Sequence, residues 1–184
     1  GWFEPDPYGG ALGLALYGQH IDIGGAPAWG SGGNPLRLSP SAVGRQGMPS
    51  LIEGGSGGAR VGFAQLNPPG SGLDVGFKRV KQSGAPQGAT IPVAYGSEDA
   101  FLLTLVNDPP NRLITFWSDE SVFPPALLAQ RFTNLGAPLW TSGDVEIETN
   151  SFGFGLPGIR AVTDGASGAI VAWSGTDVMM QRVD

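Results

Sequence analysis

The chain of 184 residues contains no cysteine, a single histidine, two lysines and no long apolar run. Without cysteine there are no disulfide frameworks, thiolate metal centres or cysteine nucleophiles. The lone His20 excludes a histidine-rich metal site. Charge is scarce, at 14% of residues, and 10 basic against 16 acidic side chains leave a net charge of −6. No basic run offers an electrostatic footprint for DNA or RNA, so nucleic acid is excluded as a partner. No stretch approaches the ~20 apolar residues of a membrane span. Helical periodicity is also missing. Pro124-Pro125 interrupts the richest candidate, so Ala126 to Phe132 reads as a strand. The sequence has no Gly-x-Ser-x-Gly, no Gly-x-x-x-x-Gly-Lys, no His-Glu-x-x-His and no calcium-loop pattern. Asn-x-Ser/Thr is absent, and standard N-glycosylation is not expected. The opening Gly1-Trp2-Phe3 carries neither an initiator Met nor a signal peptide and reads as a processed, truncated or excised start.

What is abundant is turn chemistry and apolar payload. Gly (31) and Pro (16) together make up roughly a quarter of the chain, yet 41% of residues are hydrophobic, with five Trp and nine Phe. That is too much apolar surface for a solvated coil and points to a turn-rich β-fold with a sizeable core. The sequence also repeats. Gly25-Ala26-Pro27, Gly84-Ala85-Pro86 and Gly136-Ala137-Pro138 recur at spacings of 59 and 52 residues. Six residues before each Gly begins Gln19-His20-Ile21, Lys78-Arg79-Val80 or Gln130-Arg131-Phe132, and Gln181-Arg182-Val183 is a fourth copy. Two residues past the Pro stand Trp29, Gly88 and Trp140. A second column, ending in Phe63, Trp117 and Trp173 at spacings of 54 and 56, keeps step with the first, and Trp2 reads as its remnant in an earlier copy.

Each repeat divides into four short strands. In the last these are expected at about 145–148, 159–163, 169–174 and 177–183, the second and third joined by Asp164-Gly165-Ala166-Ser167-Gly168. The corresponding loops, 53–58 and 107–111, read as hairpin connections. Alternation at Leu36/Leu38, Ile91/Val93 and Val145/Ile147 supports strands. Four antiparallel strands per ~50 residues match a β-propeller blade. The expected fold is therefore all-β, with about three blades and a partial one in a single domain: a partial blade at 1–29 and repeats at about 30–88, 89–140 and 141–184.

The segments Gly168-Ala169-Ile170-Val171-Ala172-Trp173, Ala129-Gln130-Arg131-Phe132 and Gly136-Ala137-Pro138-Leu139-Trp140 resemble the blade repeats of secreted bacterial β-propeller proteins. The resemblance is clearest after Leu127 and poorest in the middle repeat. It implies a propeller-type fold and an extracellular, cell-surface or secreted habit, and no activity in particular, because propellers host unrelated sites. By the same frame the next Gly-Ala-Pro falls three residues past the last residue. An open fan of so few blades exposes apolar faces, so self-association into a homo-oligomer or filament, or completion by the rest of a longer propeller, is expected.

No catalytic, cofactor or metal residue emerges, and the chain reads as non-enzymatic. His20 shares a column with Arg79, Arg131 and Arg182, which marks a polar strand position. The arginines read first as partners of backbone or carboxylates at blade edges, with a basic lining for an anionic ligand as the sharper alternative. The carboxylate clusters Glu98-Asp99, Asp119-Glu120 and Asp144/Glu146/Glu148 read as solvated surface, against a glycosidase pair as the distant alternative. Asn107-Asp108 and Asp164 read as turn formers before they read as cation ligands. Phe63, Trp117, Trp173, Trp29 and Trp140 are expected to build the core, since repeated apolar positions form the shared packing. The non-repeating aromatics Phe152, Phe154, Phe123 and Trp2 are the candidate contacts for a carbohydrate or protein ligand. Two functions follow: a structural or assembly protein of the cell exterior, or an adhesin- or lectin-like module.

Overall fold

A computed structural model describes residues 2–5, 14–38, 49–66, 73–94, 100–149, 158–174 and 177–184. The chain is all-β, and its antiparallel strands form four successive sheets. The first contains β1 (Trp2–Pro5), β2 (Leu14–Gly18) and β3 (Leu36–Arg37). The second is a meander of β4 (Ser50–Gly55), β5 (Gly58–Leu66), β6 (Leu73–Val80) and β7 (Pro86–Ala94). The third repeats that meander with β8 (Ala100–Asp108), β9 (Arg112–Asp119), β10 (Ala126–Thr133) and β11 (Val145–Thr149). The fourth contains β12 (Arg160–Thr163), β13 (Ala169–Ser174) and β14 (Val178–Val183). The described residues form no closed barrel or ring of sheets, and none of their helices is long and apolar enough to cross a membrane.

The strand grouping corrects the repeat frame of 30–88, 89–140 and 141–184 by one strand. Val145–Thr149, expected to open the last repeat, pairs with β10 and closes the third sheet. Likewise β7 pairs with β6, and β3 with β2. The cause is the Gly-Ala-Pro turn. At each copy the Gly N–H donates to the carbonyl three residues back, from Gly25 to Asp22, Gly84 to Lys81 and Gly136 to Thr133, at 2.8–3.0 Å. The three glycines lie at φ of 83°, 85° and 91°, a left-handed conformation that suits glycine. The turn folds the chain back onto the strand it leaves, bridging Ile21 to Pro27 and Phe132 to Pro138; β7 follows at once from Pro86, whereas β3 and β11 rejoin the same sheets after the loops at 28–35 and 139–144. The described strands thus form two four-stranded and two three-stranded sheets, rather than three complete units and a stub.

Register aligns the sheets with one another. Phe63 lies opposite Gly76, Trp117 opposite Leu128 and Trp173 opposite Met179, each partner two residues before Lys78, Gln130 or Gln181. Trp2 lies opposite Tyr17, two residues before Gln19, which puts it at the same register position in the first sheet.

Consecutive sheets pack face to face. Leu16, Trp29 and Leu38 of the first meet Ala59, Val61, Phe63 and Val80 of the second. Val75 and Phe77 of the second meet Leu105, Leu113, Trp117 and Phe132 of the third. Val106, Ile114, Phe116, Leu127 and Ala129 of the third meet Ile159, Val171, Trp173 and Val183 of the fourth. Phe63, Trp117 and Trp173 are all buried, and each faces the preceding sheet. β9 is covered on both faces, which explains its unbroken run Leu113-Ile114-Thr115-Phe116-Trp117. Polar links cross the stack as well. Trp29 Nε1 donates to Gln82 O at 2.7 Å, and Leu105 N donates to Ser50 Oγ at 2.8 Å.

Candidate functional site

The antiparallel meander brings the first-to-second strand hairpins and the Gly-Ala-Pro turns to one rim of the stack. The opposite rim carries the described loop between β9 and β10. The ordered chemistry lies on the first rim.

There the Gln column forms a repeated clamp. Gln19 Nε2 donates to Trp29 O (3.2 Å) and Gly33 O (3.0 Å), while its Oε1 accepts from His20 N and Trp29 N at 2.9 and 2.8 Å. Gln130 does the same two sheets later. Its Nε2 donates to Gly143 O at 3.0 Å and Trp140 O at 3.4 Å, and its Oε1 accepts from Arg131 N and Trp140 N at 2.9 and 3.1 Å. One amide thus satisfies the backbone of a loop that has left the ladder. Trp29 and Trp140 are presented by these loops, the first buried and the second half-buried. The clamp was not anticipated, although the joint replacement of Gln and Trp by Lys78 and Gly88 in the middle copy is its trace in the sequence.

In the neighbouring column of His20, Arg131 and Arg182 the side chains are held by aromatic rings or carboxylates, Arg131 by both. His20 sits 5.8 Å from the Trp29 ring, and the Arg131 guanidinium lies 5.9 Å from the Trp140 centroid. Arg131 Nε also contacts Asp108 Oδ2 at 2.8 Å, and Arg112 Nε shares that oxygen at 2.9 Å. In the fourth sheet Arg182 pairs with Asp164 Oδ2 and Asp184 Oδ1, both at 2.8 Å. Asp108 and Asp164 are therefore committed to guanidiniums. Backbone donors from Ala166, and then Gly168, join Arg182 in holding the Asp164 carboxyl below its ordinary range against the effect of burial. Partial burial raises the Asp144 carboxyl and Asp119 adds repulsion, while a hydrogen bond from Gln130 opposes them. Asp119 accepts from Ser121 N, Glu146 and Glu148 lie on β11, and Glu98-Asp99 fall outside the described residues. The described residues hold no group of three or more His, Cys, Asp or Glu side chains able to bind a metal.

The second sheet breaks this pattern at every point. A bulge that pairs Gly55 with Gly58 leaves Gly54 and Gly55 together where the third and fourth sheets carry Asp108 and Asp164. Gly88 replaces the tryptophan, and β7 pairs with β6 directly after Pro86 with no clamp. Arg60 occupies the column of Ile114 and Ile170. It is 4% exposed and donates to Asn107 Oδ1 (2.7 Å), to Asn134 Oδ1 (3.0 and 3.2 Å) and to Glu53 O (3.4 Å). Burial and the like charge of Arg79 lower its pKa, and Glu53 partly offsets them.

Of the four proposed ligand aromatics, only Phe123 can be located as a side chain. It is 89% exposed between β9 and β10, on the rim opposite the clamps. Phe152 and Phe154 lie outside the described residues, and Trp2 is placed by backbone register alone. Comparison with protein-family models, curated proteins and solved structures gives no match.

Proposed function

We propose that the chain is a run of β-propeller-type blades serving as a non-catalytic structural and assembly protein of the cell exterior. The stack is completed by a second copy or by further residues of a longer chain. The extracellular assignment rests on the resemblance of its repeats to secreted bacterial propellers.

One observation carries the assembly reading. Val106, Leu127 and Ala129 of the third sheet are buried beneath the fourth. At the same registers the fourth sheet presents Val162, Val178 and Met180, which are 61%, 83% and 73% exposed. This outer face, with Ile170 and Ala172 between them, has the apolar composition that elsewhere packs the next sheet. For the isolated chain we assign the covering partner as the first sheet of another copy, a head-to-tail contact that closes a ring or extends a filament.

Native mass across a concentration series, with electron microscopy of the same sample, tests this. Multimers or filaments are expected for the wild type, with Met180→Glu shifting the equilibrium to monomer. A wild-type monomer at every concentration overturns the assembly reading.

The exposure of Phe123 favours a second reading, a glycan-binding module with an aromatic stacking on a sugar ring. Saturable, glycan-specific retention lost in Phe123→Ala would support it, and equal retention of that variant would remove it.

A further inference from the structure

Arg79 is the one member of the cation column with neither of its usual partners. In the third sheet Arg131 has the Asp108 carboxylate at 2.8 Å and the Trp140 ring at 5.9 Å. In the second sheet both partner positions are glycine, Gly54 and Gly88. A side chain at Gly88 would begin 3.7 Å from the Arg79 guanidinium, so the group lies over bare backbone where its counterpart has a ring. Its Nε is buried and makes no hydrogen bond, and Arg79 forms no ion pair among the described residues. Arg60 stands directly opposite it in register, and its own bonds go to neutral oxygens. Glu53 is opposite Ala59, on the other face of the sheet, and is exposed. Two guanidiniums thus share one side of the sheet with no carboxylate bonded to either among the described residues, and the nearby Glu53 offsets Arg60 only in part, in a chain of net charge −6. Like charges directly opposed across strands are destabilising unless something compensates them.

Beside them opens a recess of about 320 Å³ lined by Arg79, Lys81, Ser56, Gln82, Gln87 and Asn134. Its lining holds two cations and no acid. The Asn134 Oδ1 is taken by Arg60, which leaves its amide N–H groups as donors. Planar guanidinium with flanking amide donors is the chemistry that recognises carboxylate, sulfate or phosphate.

We propose that this recess is an oxyanion-binding site, in which Arg79 takes a ligand's carboxylate, sulfate or phosphate as Arg131 and Arg182 take Asp108 and Asp164. Its volume suits a small acid or one acidic sugar residue. The site is independent of the assembly face on the fourth sheet.

The test follows the ¹H–¹⁵N signal of the Arg79 side chain, together with thermal unfolding of the 184-residue chain. Sulfate, phosphate, acetate and glucuronate are titrated at constant ionic strength, with chloride as the reference. A saturable shift with at least one oxyanion and none with chloride is expected. A preference for glucuronate over the inorganic ions would identify an acidic sugar as the ligand, and the reverse order a free oxyanion. Arg79→Gln should weaken the response in melting temperature at least tenfold. Gln87→Glu should do the same by supplying a carboxylate opposite Arg79 in register, and its folding is checked by an unchanged amide spectrum elsewhere. Responses equal to those of chloride, or unaltered in both variants, would overturn the proposal.

Discussion

The second and third sheets are built to the same plan and finished differently. Both are four-stranded meanders, both turn on Gly-Ala-Pro, and both bury an aromatic of the same column, Phe63 or Trp117, against the sheet before. At the rim they share almost nothing. The third carries the Gln130 clamp, the Asp108–Arg131 pair and the Trp140 ring, whereas the second carries Lys78, Gly54 and Gly88 at those positions. The second sheet nevertheless forms with its full set of strands. The comparison teaches that the packed faces set this architecture, while the rim is free to change its chemistry. A position that is structural in one repeat can then become a binding position in the next.

Core substitutions probe what the sheets share and should have the largest effect. Phe63→Ala and Trp117→Ala are each expected to destabilise by ~3–5 kcal/mol in denaturant titrations, the range for deleting a buried aromatic. An unchanged midpoint in either would remove that residue from the shared packing column. Rim substitutions should then distinguish the sheets. Asp108→Asn breaks a fully buried carboxylate's contacts with Arg112 and Arg131 and should cost ~3 kcal/mol, the low end for an orphaned buried charge. Gln130→Ala leaves the Trp140 N–H and the Gly143 carbonyl without their partner, and ~1–3 kcal/mol is expected. Amide exchange confined to residues 139–144 would localise the loss.

A pH series extends the comparison to the fourth sheet. The folded-state pKa of Asp164 lies below its unfolded value, so its contribution is complete above the unfolded carboxylate range and is lost as pH falls through the folded pKa. Exchange protection of the β12–β13 hairpin should therefore fall in acid for the wild type. It should be lower at neutral pH and nearly flat with pH in Asp164→Asn. Identical profiles would remove the carboxylate from the account. The smallest effect is expected for Lys78→Gln, within ~0.5 kcal/mol, because β7 already pairs with β6 and leaves a restored amide no open loop to clamp.

The strands and turns are legible in the sequence because Gly, Pro and two-residue alternation act locally. The columns of Phe63, Trp117 and Trp173 are legible because a repeated interface demands a repeated side chain. The strand grouping is not, since periodicity fixes the length of a repeat and leaves its starting strand open. It is the pairing of β3 with β2, β7 with β6 and β11 with β10 that makes these strands close sheets rather than open them, and for β3 and β11 that pairing is made across intervening loops. The rim was half legible. Arg131 and Arg182 read as partners of carboxylates, but which carboxylates depends on a hairpin folding back across the sheet. Arg60 looked like one more residue of a strand. Its isolation becomes visible only when Asn107 and Asn134, 47 and 74 positions away, are brought to it.

The exposed outer face of the fourth sheet carries the assembly reading, and a photo-crosslinking residue at position 180 tests it most directly. The account predicts intermolecular adducts that map to the first sheet of another copy, within 14–18 and its neighbours, and that disappear when Val178 is replaced by Lys. Adducts joining position 180 to itself across two copies, or no adduct at any concentration, would contradict it.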